Sequence, residues 1–137
     1  MYERHIKIIN IIDKYRGEEH VYGLNDCNIL VADVIDALCG TEYADKLRGS
    51  YDSIISGMIV AKEKVGFSNA RQALVKHGEK VDYPANGDFC IIKHINEGKT
   101  FYATTIYWNG KVLLEKDNHY QWCLFEKDNY KEFFKVV

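Results

Sequence analysis

One stretch, residues 26–40, constrains the fold more than any other part of the chain. Apolar residues follow Cys27 at spacings of three and four, which predicts a helix with one buried face. Asp26 or Asn25 is expected to cap its first turn, because a side-chain oxygen accepts an otherwise unpaired amide. Gly40 is expected to close the helix in the left-handed conformation. A helix this apolar must lie inside the domain, so the rest of the chain has to cover it.

The position of Cys27 in the first helical turn makes it a candidate nucleophile. Unpaired amides and the positive end of the helix dipole stabilise a thiolate there, and the thiolate is the reactive form. The residues also allow a plainer interpretation, in which Cys27 is a small apolar residue on the buried face. Cys39, at the other end of the helix, is expected to have that role.

Composition narrows the class of protein. With 137 residues, of which 47% are hydrophobic, the chain is predicted to form one globular domain. Its net charge of -2, without a basic run, disfavours nucleic acid and anionic membrane as partners. The four cysteines form neither a CxxC pair nor a disulfide-like framework, and no histidine has zinc-site spacing, so we expect no metal or other cofactor. We see no signal peptide or membrane-spanning stretch and expect a cytoplasmic protein.

Helices are predicted first and strands afterwards. Apolar periodicity and capping residues predict helices over 2–16, 27–39, 42–47, 53–65 and 69–77, with Thr41 and Ser68 among the caps. After a turn at 84–88, strands are predicted over 89–94, 100–108, 111–116, 119–125 and 133–137, the last as an edge strand. Asn109-Gly110 is a strong hairpin signal. The order predicts an α+β domain, with helices from about 2–78 on an antiparallel sheet from about 88–137.

Four short motifs, in their order and spacing, resemble one family. They are Tyr22-Gly-Leu-Asn-Asp26-Cys27, Arg48-Gly-Ser-Tyr51, Pro84-Ala-Asn-Gly-Asp88 and Ile106-Tyr-Trp-Asn-Gly-Lys111. The chain from about 20 to 116 resembles NlpC-type cysteine peptidases of the papain-like superfamily, and within them small phage-encoded proteins of largely unassigned function. The resemblance implies a papain-like fold over residues 1–137.

The resemblance also implies a set of site residues. It implies a Cys nucleophile, a His base at the start of the strand after the Gly-Asp strand, and a polar orienting residue on the next strand. Cys27 matches the nucleophile. Tyr102 or Ala103 stands where the His is expected, and Leu114 or Glu115 stands at the third position.

Another histidine would therefore have to act as the base. If 94 pairs with 100 and 92 with 102, His94 lies diagonal to position 102 and within reach of the site. His94 is the first candidate for a displaced base, followed by His119 and His20. Each is otherwise a surface or turn histidine.

Two functions remain open at this point. In a hydrolase, His94 would take the thiol proton, Cys27 would attack an amide or ester carbonyl, and water would release the acyl enzyme. Binding would be assisted by Tyr22, Asp26, Tyr102 and Glu115, and by resemblance the substrate would be a cell-wall peptide. The absent family His and the aromatic-rich sheet favour the other function, a non-catalytic phage assembly or host-interaction protein that binds a phage structural or host protein. Such a protein is expected in the bacterial cytoplasm, or associated with the virion.

A further polar set lies between two predicted helices. Arg48, Tyr51 and Asp52 follow one another closely, with Gly49 permitting a tight turn. A local salt bridge and helix cap is the favoured interpretation, and substrate binding is the alternative.

Overall fold

A computed structural model describes residues 2–137, apart from the side chains of Tyr2, His94 and Asn96. Helices fill the first half of this range and an antiparallel sheet fills the second, which confirms the predicted α+β class. The helices are α1 (Tyr2–Tyr15), α2 (Cys27–Cys39), α3 (Tyr43–Leu47), α4 (Ile54–Val65) and α5 (Ala70–His77). The strands are β1 (Gly78–Val81), β2 (Phe89–Asn96), β3 (Lys99–Trp108), β4 (Lys111–Lys116), β5 (His119–Leu124) and β6 (Glu132–Val136).

The sheet has the order β1-β6-β2-β3-β4-β5. Strands β2 to β5 form the predicted meander, but β6 lies between β1 and β2, so its prediction as an edge strand is wrong. The sequence analysis also missed β1. Its four residues are mostly polar and carry no strand pattern of their own, and they are held by pairing with the distant β6.

Local capping residues set most of the helix ends. Asp26 caps α2 and Gly40 closes it at φ +75°, as predicted. Two predicted caps are wrong: Asn69, not Ser68, caps α5, and the hydroxyl of Thr41 bonds to Asp36 instead of capping α3. In both cases a neighbouring side-chain oxygen, that of Asn69 at α5 and that of Asp36 at α3, is the better-placed hydrogen-bond acceptor.

The main core lies between α1, α2, α5 and the helix-facing side of the sheet. Leu30 and Ile35 of α2 are fully buried there, together with Phe89 and Ile91 of β2. Successive strand residues point to opposite faces, so Cys90 packs instead into a second cluster on the other side of the sheet. Among the described residues, no helix combines the length and apolarity needed to cross a bilayer.

Candidate functional site

A buried carboxylate organises the loop that leads into α2. Asp26 is only 2% exposed, and its two oxygens accept four hydrogen bonds. Oδ1 accepts the amides of Asn28 at 3.0 Å and Ile29 at 3.1 Å, which caps the helix. Oδ2 accepts the amide of Gly23 at 2.8 Å and the hydroxyl of Tyr51 at 2.6 Å. The carboxylate therefore joins the preceding loop, the helix and the distant Tyr51 segment.

Gly23 makes this approach sterically possible. Its φ is +86°, and a Cβ built on it would lie 1.7 Å from the carbonyl oxygen of Tyr51. The Gly49 amide also donates to the Gly23 carbonyl at 2.7 Å. Arg48 forms a salt bridge with Asp33 of α2 at 2.7 Å, so it is ion-paired as expected, but its partner lies 15 residues away and not in the local set. Two motifs noted separately in the sequence thus form one structural unit.

A cleft of about 370 Å³ opens beside Cys27, and we call it the Cys27 cleft. It brings together most of the site residues predicted from the sequence: Tyr22, Asp26, Cys27, Tyr102 and Glu115. Ala103 and Leu114, the alternatives at the two family positions, line it as well. The other lining residues are His20, Asn28, Tyr51, Ile54, Gly57, Phe101, Thr104, Leu113 and Tyr120.

The cleft exists because β3 and β4 separate. Among the described residues, these strands pair only at Tyr107–Val112 and Trp108–Lys111, next to the hairpin turn. Beyond this point, the Thr105 hydroxyl donates to the Leu113 carbonyl at 2.5 Å, and strand pairing ends. We call the resulting space between the strands the β3–β4 opening.

Thr104 is the β3 residue that meets Cys27. Its hydroxyl donates to the Cys27 carbonyl oxygen at 3.4 Å, and its amide and hydroxyl act to lower the pKa of the thiol. The sequence analysis missed this residue and considered Tyr102 and Ala103 instead. The alternation of β3 was the available signal, since Tyr102 and Thr104 share a face with the buried Ile106.

The environment of Cys27 favours the neutral thiol. Burial raises the pKa of the Cys27 thiol, and the neighbouring Asp26 carboxylate raises it further. Hydrogen bonds from Thr104 and from the Cys27 amide lower the pKa but do not outweigh burial. This differs from the expected thiolate, because burial outweighs the helix terminus and the Asp26 carboxylate at that terminus adds to the effect.

Of the candidate histidines, His20 lines the Cys27 cleft. Its ring packs edge-on against Tyr22 at 4.7 Å and lies 5.8 Å from the ring of Tyr120. His119 is exposed on β5, where its Nδ1 lies 3.1 Å from the Asp117 carbonyl oxygen. Among the candidate histidines whose side chains are described, His20 is therefore the one that lies in the same cleft as the thiol.

The side chain of His94 lies outside the described residues, but its place in the sheet register is known. His94 pairs with Phe101, and Ile92 pairs with Ala103, so the expected pairing of 94 with 100 is off by one residue. A one-residue shift moves a strand position to the opposite face. The predicted relation between positions 94 and 102 is therefore wrong, and the role of His94 as a base stays a prediction.

The remaining cysteines provide no second thiol in the cleft. All four cysteines are free, and Cys90 is fully buried in the second cluster. Cys39 is exposed, with its sulfur 3.3 Å from the Val137 carbonyl oxygen, so the expectation that it is buried is wrong. Among the described residues, no group of three or more potential ligands is placed to hold a metal ion.

The fold and the site define an α+β domain with a thiol at the start of its central helix and a cleft made by two separating strands. Residues 3–136 match a family described as a domain of unknown function (DUF6950), and the chain belongs to that family. Neither the curated proteins nor the solved structures contain a significant match.

Proposed function

We propose that this protein is a non-catalytic member of the papain-like, NlpC-type group, which acts by binding a protein partner in the Cys27 cleft. The observation that carries the proposal is that Thr104 is the β3 residue beside Cys27, with its hydroxyl donating to the Cys27 carbonyl oxygen at 3.4 Å. A threonine hydroxyl does not accept a proton at neutral pH, so it cannot act as the general base that a thiol nucleophile requires. The raised pKa of Cys27 supports the same conclusion.

The polar groups around the thiol also support a binding role. Asp26 accepts four hydrogen bonds and serves as a structural clamp. Tyr22, Tyr102 and Glu115 remain along the walls of the cleft. Tyrosine is enriched at protein interfaces because it combines a large apolar ring with a polar tip. The resemblance to small phage-encoded proteins is our ground for proposing a phage structural protein or a host protein as the partner.

A hydrolase is the second candidate, because His20 lines the same cleft as Cys27. In that case His20 would take the thiol proton and Cys27 would attack a carbonyl carbon. The Cys27 amide would hold the oxyanion, His20 would return the proton to the leaving group, and water would release the acyl group. By resemblance, a cell-wall peptide would be the substrate.

One assay separates the two candidates. The wild-type protein and Cys27→Ala are incubated with a γ-D-glutamyl cell-wall peptide and with denatured casein, and the products are identified by mass spectrometry. We expect no product that depends on Cys27. A product formed by the wild-type protein and absent with Cys27→Ala would contradict the proposal, and its loss in His20→Gln would support the second candidate.

Partner binding is tested by photo-crosslinking in host and virion extracts. A benzophenone amino acid is placed at Leu114, which lines the cleft, and as a matched control at Leu124, which is 76% exposed at the end of β5. We expect one defined crosslinked protein from position 114 and not from position 124. Equal crosslinking from both positions would mean that the cleft is not the binding surface.

A further inference from the structure

Strand β3 presents main-chain groups to the β3–β4 opening. The amide and carbonyl of Tyr107 bond toward β2, to Asp88 at 2.8 Å and Gly87 at 2.9 Å. Main-chain direction alternates along a strand, so Tyr102 and Thr104 direct their amides and carbonyls toward β4. Within the described strands, the pairing of β3 with β4 has already ended at Tyr107. Because the Thr104 amide already acts on the Cys27 thiol, the groups of this edge left for another strand, within the described part of the chain, are the amide and carbonyl of Tyr102 and the carbonyl of Thr104.

The opening has the dimensions of a binding site. A volume of about 370 Å³ lies in the range typical of ligand sites, which starts at roughly 300 Å³. An extended chain advances about 3.3 Å per residue, so the edge from Tyr102 to Thr104 matches a segment of about three residues. Peptides that add a strand to a sheet obtain affinity from main-chain hydrogen bonds and specificity from alternate side chains. Cys27 would lie at the Thr104 end of such a segment.

The charge of the cleft favours a basic side chain on a ligand bound there. Among the described residues that line it, none is lysine or arginine, whereas Glu115 is exposed at its wall. The carboxylate of Glu115 contributes to raising the pKa of Tyr22, after burial and Cys27, so the two groups share one electrostatic environment. Arg71 lies 5.3 Å from the Tyr102 ring but is paired with the carboxylate of Glu132 at 2.6 and 2.9 Å. A basic side chain would meet tyrosine rings here and the Glu115 carboxylate, which forms no ion pair with any described side chain.

We propose that an extended peptide segment carrying a basic side chain binds in the Cys27 cleft as an added strand along Tyr102–Thr104, with its cation against Glu115. This inference rests on the proposed function and names the chemistry of the partner. The main chain of the segment pairs with the β3 edge. The basic side chain lies among Glu115, Tyr22 and Tyr102.

The test uses peptides of defined sequence and the full-length, ¹⁵N-labelled protein. The first probe is the acetylated and amidated pentapeptide Thr-Val-Lys-Val-Thr. The second has glutamate in place of lysine, and the third carries N-methyl groups on alternate amides, which removes main-chain donors while keeping the side chains. Binding is followed by the amide shifts of Tyr102, Thr104 and Glu115, and the same samples are checked for cleavage by mass spectrometry.

We expect the lysine peptide to shift these three amides and to slow the hydrogen exchange of the Tyr102 amide. N-methylation should weaken binding about fivefold for each main-chain hydrogen bond that is lost, since each contributes about 1 kcal/mol. Glu115→Gln should weaken it about threefold, as for an exposed ion pair. The inference is overturned if these amides do not shift, if the N-methylated peptide binds equally well, or if the glutamate peptide binds as tightly as the lysine peptide. Cleavage of a bound peptide would instead contradict the non-catalytic function and leave strand addition standing.

Discussion

The Asp26 clamp allows the stability of the loop and the acidity of the thiol to be tested by one substitution. In Asp26→Asn, the remaining oxygen can still cap α2, because asparagine and aspartate are similarly good caps. The new amide group, however, would face the Gly23 amide, which now donates to Oδ2. A buried donor left unsatisfied costs about 1–3 kcal/mol. We therefore expect the free energy of unfolding to fall by about 1–3 kcal/mol.

The same substitution removes a negative charge beside the thiol. Because the Asp26 carboxylate raises the pKa of Cys27, Asp26→Asn should lower that pKa. Tyr51→Phe is the matched control, since it removes one hydrogen bond to the same carboxylate and keeps the charge. Both variants should lose stability, but Asp26→Asn alone should lower the pKa of Cys27.

Two measurements follow these effects separately. Urea unfolding monitored by circular dichroism gives the change in stability. Alkylation by iodoacetamide between pH 6 and pH 10, with peptide mapping by mass spectrometry, gives the pKa of Cys27 apart from those of the other three cysteines. A folded Asp26→Asn protein whose Cys27 titrates at the wild-type pH or higher would refute the electrostatic argument. Unchanged stability would refute the clamp.

Two further predictions concern the framework of the site. Gly23→Ala should destabilise the protein strongly, because its Cβ would lie 1.7 Å from the Tyr51 carbonyl oxygen. Gly17→Ala, at φ +79° with no atom within 4 Å of its Cβ, is the control and should cost only about 1–2 kcal/mol in thermal unfolding; equal losses would contradict the steric reason. Hydrogen bonding to Arg71 lowers the pKa of Glu132, so this carboxylate stabilises the fold above its unfolded pKa, and the contribution is lost as pH falls through the folded pKa. Glu132→Gln should therefore cost about 1 kcal/mol at pH 7, reduced by solvent screening, and should match the wild-type protein at low pH in urea unfolding; a difference that persists at pH 2 would contradict this assignment.

Much of the site was predictable where a few consecutive residues decide the structure. Asp26, Cys27 and Gly40 fix both ends of α2 through side-chain capping and a left-handed glycine. Asn109 and Gly110 have the positive φ values, 48° and 78°, of the predicted hairpin turn. The order of helices and strands followed from the same local rules. The choice of Tyr102 and Glu115 as neighbours of the thiol came instead from the family resemblance, aligned on the hairpin.

Tertiary structure decided the rest, because pairing between distant segments depends on geometry that no short stretch encodes. The position of β6 and the existence of β1 follow from mutual pairing across more than 50 intervening residues. The register of β2 and β3 follows from the two-residue turn at Glu97–Gly98, where a shift by one residue exchanges the faces of the strand. Likewise, local patterns identified Cys27 as the start of a helix with Asp26 beside it, but only the packing of β3 against α2 places Thr104, 77 residues away, next to Cys27.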